Sequence, residues 1–76
     1  KSAETAPVLN GPKLSTRERE CLLLLAQGLR TAQIADRLGI ATVTVELYCR
    51  NARKKLAAKT REQAVALAIA TRQVRL

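Results

Sequence analysis

Apolar residues recur with a helical period in four successive stretches of this chain. Cys21, Leu22, Leu24 and Leu25 share one arc of a helical wheel, with Leu23 pointing away. Ile34, Ala35 and Leu38 form a second, shorter face. Val45, Cys49, Ala52 and Leu56 follow at intervals of four, three and four residues, an uninterrupted core stripe. The fourth stretch is apolar on two sides. Leu67 and Val74 lie near one direction, Val65, Ile69 and Leu76 near the opposite one, with Ala64, Ala66, Ala68 and Ala70 between.

Local signals place the ends of these stretches. Ser15 and Glu18 have the spacing of a capping box, and Leu14 just before them can pack on the first turn. Gly28 stands where a helix C-terminus favours a left-handed residue. Thr31 is placed to cap a second helix, and Gly39 marks its turn, with Ile40 plugging the core. Thr60 and Gln63 form another box. The fold class predicted is all-α, with helices over about 16–27, 32–38, 42–57 and 61–73. Residues 1–13 hold both prolines and no helical period, and read as a linker or tail. Residues 14–76 form one small domain, of a size that buries only about 60% of its unfolded surface.

The short second helix, the glycine turn and the longer third helix make a helix-turn-helix, whose second member enters a DNA major groove. Opposite the core stripe, the third helix carries Val43, Leu47, Arg50 and Lys54, flanked by Glu46 and Arg53. Val and Leu left in water beside an Arg suit a groove. There aliphatic groups meet thymine methyls, Arg forks onto guanine, and Glu accepts from a cytosine amino group. Val43, Glu46, Leu47 and Arg50 are therefore the candidate base readers. For Glu46 the bland alternative is an ion pair with Arg50 one turn on.

The formal charge is +8, and residues 1–13 carry only +1 of it. Such a balance favours a polyanion. Six of the 14 basic residues lie between Arg50 and Arg61 with no acid among them. That is where phosphates flank a helix lodged in the groove, so Arg53, Lys54, Lys55, Lys59 and Arg61 are candidate phosphate contacts. Thr31, Thr42, Thr44 and Tyr48 are candidate phosphate donors, with capping the equal alternative for Thr31 and Thr42.

The absence of histidine and the presence of only two cysteines argue against a zinc site, and no cofactor motif or catalytic constellation is visible. The chain reads as a non-enzyme. Cys21 and Cys49 fall on core stripes and read as reduced thiols of a cytoplasmic protein. Neither a signal peptide nor an apolar run of membrane-spanning length occurs. A first residue of Lys rather than Met suggests a fragment of a longer protein. The two-sided fourth helix needs a second partner, and a symmetric contact between protomers through Val65, Ile69 and Leu76 is the economical one.

These residues resemble the C-terminal domain of LuxR-type (GerE-like) bacterial transcription regulators. The resemblance runs from about Leu14 to Ile69. It is carried by Leu14-Ser15-x-Arg17-Glu18-x-Glu20, Leu24-Leu25-Ala26-Gln27-Gly28, Ile34-Ala35-x-x-Leu38-Gly39-Ile40, Thr44-Val45, Lys55-Leu56 and Arg61-x-x-Ala64-Val65. It implies a four-helix domain with the third helix in the major groove, base reading at Glu46, Leu47 and Arg50, dimerisation through the fourth helix, and an N-terminal sensory domain. Three positions depart from the family pattern. Ala41 replaces a Ser or Thr cap, which points to Thr42 as the cap; Tyr48 replaces a common His; and Glu46 is acidic where a base is usual. The partners expected are double-stranded DNA, a second copy of the chain and RNA polymerase, with no membrane. Among inputs, quorum sensing is favoured over a two-component signal.

Region 4 of a sigma factor shares the Arg17-Glu18-Arg19-Glu20 opening, but its spacing before the turn is longer and the fourth-helix segment is not expected there. A cationic membrane binder would need wide basic and greasy faces on one helix. A helical RNA-binding module would more often show stacking aromatics, and this chain has a single Tyr.

Overall fold

The computed structural model describes residues 13–75; the expected tail, apart from Lys13, and Leu76 of the expected dimer stripe lie outside them. Four helices occur among the described residues, and no strand: α1 Thr16–Ala26, α2 Thr31–Leu38, α3 Thr42–Leu56 and α4 Arg61–Ala70. The all-α expectation holds, and each start but one holds to the residue.

Glu18 N–H donates to Ser15 Oγ at 3.2 Å, and Ser15 N–H donates to Glu18 Oε1 at 2.8 Å, closing the capping box of α1. The cap of α2 is Arg30, not Thr31. Gln33 Oε1 accepts from Arg30 N–H at 2.8 Å, so the helix gains a residue at its start. Ala41, not Thr42, precedes the first turn of α3, which has no side-chain cap. Thr60 Oγ1 accepts from Gln63 N–H at 3.0 Å, but Gln63 reaches one residue further back, to Lys59 N–H.

All four helices end alike. The N–H groups of Leu29, Ile40, Ala58 and Gln73 reach back to the carbonyls of Leu24, Ala35, Arg53 and Ala68 at 2.8–3.0 Å. The residue before each donor is left-handed: Gly28 (φ 96°), Gly39 (φ 70°), Ala57 (φ 55°) and Arg72 (φ 63°). These are Schellman ends, which satisfy carbonyls left open by the last turn. Leu29, Ile40 and Ala58 then drop onto the core.

The core has two parts that share α1 and α3. Under α2, Cys21, Leu24, Ile34, Ala35, Val45 and Cys49 are buried together. Under α4, Leu14, Leu22, Ala52, Ala64, Ala68 and Val74 are buried together. Leu23, which the wheel pointed away from the core, packs partly buried against this second group.

α4 corrects the sequence reading most. Its buried face is Ala64 and Ala68, both without solvent exposure. Alanine lets the helix axis approach its neighbours closely, and the two aliphatic directions become flanks of that contact. Val65, expected on a free face, packs partly buried against the core. The helix ends at Ala70 rather than near Gln73. The left-handed Arg72 then turns the chain so that Val74 is buried. Gln73 Oε1 accepts from Leu14 N–H at 2.8 Å, joining the two ends of the domain.

Candidate nucleic-acid interface

α3 buries Val45, Cys49 and Ala52 and presents the opposite face outward. Val43 is 68% exposed and Leu47 45%, the two most exposed large hydrophobic residues described. Glu46, Arg50 and Lys54 are exposed beside them. This is the face expected of the base readers. Among the described residues, Glu46 and Arg50 form no ion pair with each other. The turn of Gly39, Ile40 and Ala41 holds α2 against α3. A side chain at Gly39 would meet nothing within 4 Å, so the glycine serves the backbone angle alone.

α2 and α4 do not pack on each other. Their first residues are nevertheless joined: Arg61 Nη1 donates to Thr31 Oγ1 at 3.2 Å. One long side chain thus ties the start of α4 to the start of α2, where backbone N–H groups leave a partial positive charge. Arg53, half-buried, donates to the Lys59 carbonyl at 3.4 Å. A cleft of about 160 Å³ between these elements is lined by Glu46, Cys49, Arg50, Arg53 and Arg61. A wider groove of about 680 Å³ shares Arg53 and Arg61 with it and is also lined by Lys59, Leu25 and Val65. Thr42, Lys54 and Lys59 are exposed and Thr44 is half-buried.

Two expected phosphate contacts are placed otherwise. Lys55 Nζ lies 2.8 Å from Glu18 Oε1, so its charge is engaged inside the domain. Tyr48 is half-buried, with its ring against the core under α2. Glu18, the partner of Lys55, is 4% exposed. Burial pushes its carboxyl pKa up. The Lys55 hydrogen bond, the Ser15 backbone N–H and the Lys55 charge outweigh burial and hold it below the usual carboxylate range. Sequence reasoning assigned Glu18 only its cap. A pair 37 residues apart leaves no local signal.

Residues 12–68 match the family described as "Bacterial regulatory proteins, luxR family". The spore germination protein GerE of Bacillus subtilis is 46% identical over 54 residues, covering 71% of this chain and 73% of GerE. The transcriptional activator protein RaiR of Rhizobium etli is 47% identical over 49 residues, 64% of this chain but only 20% of RaiR. The solved structure of GerE superposes with a TM-score of 0.79 at 31% identity, covering 82% of this chain and 92% of that one. A VqmA–ligand–DNA complex from Vibrio cholerae superposes with a TM-score of 0.69 at 40% identity, covering 79% of this chain and 26% of VqmA. Sequence and helix order agree: this chain belongs to the luxR family of bacterial regulatory proteins, as its helix-turn-helix domain.

Proposed function

We propose that this domain binds double-stranded DNA sequence-specifically, with α3 in the major groove, as the effector part of a bacterial transcription regulator. The observation that carries this is the outer face of α3. Val43 and Leu47 stand in solvent beside Arg50, a costly surface for a free domain and a fitting one for base edges. Val43, Glu46, Leu47 and Arg50 read bases. Thr31 and Arg61 at the joined helix starts, with Thr42, Thr44, Arg53, Lys54 and Lys59, hold phosphates. Lys55 and Tyr48 leave the contact set.

A two-fold dimer on DNA is part of the same reading. The outer face of α4 carries Glu62, Ala66, Ile69 and Ala70, all exposed. Small residues there allow a second helix to approach closely. Val65 serves this face only from the flank, and Leu76 lies outside the described residues. The chain spans about a fifth of RaiR and a quarter of VqmA, so the input belongs to the whole protein. We assign that input to an N-terminal domain that binds a diffusible signal of the quorum-sensing kind, in a cytoplasmic regulator acting with RNA polymerase. The VqmA complex, which holds ligand and DNA together, supports this choice.

Selection of duplexes from a random pool, followed by anisotropy on the enriched site, tests the DNA reading. The expected result is a two-fold symmetric site whose affinity falls about a thousandfold between about 50 and 200 mM salt. Equal affinity for every duplex and single strand overturns it.

A further inference from the structure

Two thiols lie between the helices, and DNA binding makes no use of them. Cys21 on the inner side of α1 has no solvent exposure, and Cys49 on the inner side of α3 is 4% exposed. Both are free and sit in the same part of the core. They stand on helices that pack directly against each other.

Their surroundings differ. Cys49 lines the small basic cleft together with Glu46, Arg50, Arg53 and Arg61. The neighbouring Cys21 thiol lowers the Cys49 pKa, burial opposes it, and the Arg61 and Arg53 charges lower it again. The Cys49 sulfur, together with burial, pushes the Cys21 thiol up. One sulfur is thus poised as a nucleophile at an opening, and the other waits behind it as the resolving thiol.

We propose that Cys21 and Cys49 form a disulfide-forming site entered at Cys49 through the basic cleft, and that closing it weakens the hold of α3 on DNA. With hydrogen peroxide as oxidant, the Cys49 sulfur attacks one peroxide oxygen and the O–O bond breaks. The departing hydroxide takes up the Cys49 proton as water, leaving Cys49 as a sulfenic acid. The Cys21 sulfur then attacks the Cys49 sulfur. The S–O bond breaks, and its oxygen leaves with the Cys21 proton as a second water. Two thiols lose two electrons and two protons, and one peroxide becomes two waters.

The S–S bond, at about 2.05 Å, is far shorter than any contact between unbonded sulfurs. A close-packed interior cannot absorb that change locally. α3 is drawn toward α1 at Cys49, directly beside Arg50 and less than a turn from Glu46 and Leu47. This half of the inference rests on the DNA-binding reading.

The test treats the reduced 76-residue chain with hydrogen peroxide. Intact mass should fall by two hydrogens, and non-reducing peptide mapping should join Cys21 to Cys49, reversibly with dithiothreitol. Cys21→Ala should stop at a sulfenic acid on Cys49 that dimedone traps. The wild-type mass result stands even if this variant folds poorly. Added oxygen without the crosslink, or joining only between chains, overturns the site. By anisotropy, the oxidised domain should bind its selected duplex about tenfold more weakly, the loss of one good base contact. Equal affinity of both forms overturns the DNA half. A reduced domain that binds no duplex counts against the DNA-binding reading itself, and the mass result still decides the disulfide.

Discussion

Lys55 in the last turns of α3 and Glu18 in the first turn of α1 meet at 2.8 Å, and Glu18 also closes the α1 capping box through Ser15. One carboxylate therefore fixes where α1 begins and how the recognition helix lies across it. The pair converts a residue of the basic run into a brace. It leaves Arg50, Lys54, Lys59 and Arg61 as the exposed charges of that run.

Lys55→Met keeps the aliphatic stem and removes the charge. Glu18 is then left buried with its cap contacts alone. Stability should fall by about 1–3 kcal/mol, less than for a fully buried pair because Lys55 is one-third exposed. Urea denaturation measures this. Affinity for DNA, measured where the variant is folded, should change little. A large loss of affinity with unchanged stability would return Lys55 to the phosphate contacts.

Acid should loosen the same brace. Glu18 titrates below the usual carboxylate range in the folded domain. Its stabilisation is therefore present above the unfolded value of about 4.3 and is lost as pH falls through the folded value. The urea midpoint should drop between about pH 5 and pH 3, and Glu18→Gln should flatten that slope. An unchanged slope in the variant rules Glu18 out as its source.

Arg50 and Lys54 separate reading from positioning. Arg50→Ala should cost about 1–3 kcal/mol on the selected site and relax preference at one base pair. Lys54→Ala should weaken selected and random duplexes alike and reduce the salt slope by about one. Competition binding against both duplexes decides. If Arg50→Ala leaves the ratio of the two affinities unchanged, Arg50 grips phosphate.

Gly39 and Ala57 occupy the same left-handed position at the ends of α2 and α3. Gly39→Ala should destabilise by about 1 kcal/mol through backbone strain alone, since the added methyl meets nothing. Ala57→Gly should stabilise by about 0.5–1 kcal/mol by relieving the same left-handed strain. Thermal melts of the two variants should move in opposite directions. Movement in the same direction would show that neighbours, not φ, govern these turns.

Ile69→Glu probes the outer face of α4, where Ile69 is 37% exposed. Circular dichroism should stay helical, with cooperative binding to a two-half-site duplex lost and weak half-site binding kept. Ala66→Glu, at the centre of that face, should behave alike. The few hundred square ångströms offered are well below a standard interface of about 1,600 Å², so the free domain should be monomeric or weakly paired. Cooperative binding by both variants would move the dimer contact off α4.

The helices, the turn at Gly39 and the outward face of α3 were legible in the order of residues. Each depends on neighbours within one or two turns: a capping box at Ser15 and Glu18, a period through Val45, Cys49 and Ala52, a glycine where φ turns positive. α4 was not legible in the same way. Its large aliphatics suggested two faces, whereas the contact is made by Ala64 and Ala68, because how closely two helices approach depends on the partner surface and not on the helix itself. Long-range packing also set the left-handed turns at Ala57 and Arg72, which no glycine announces, and the burial of Val74 beyond the helix end. It paired Lys55 with Glu18 and brought Cys49 and Cys21 into one buried cluster. Charge and thiol chemistry carry no mark of their partners along the chain, since desolvation and distance exist only once α1 and α3 are packed together.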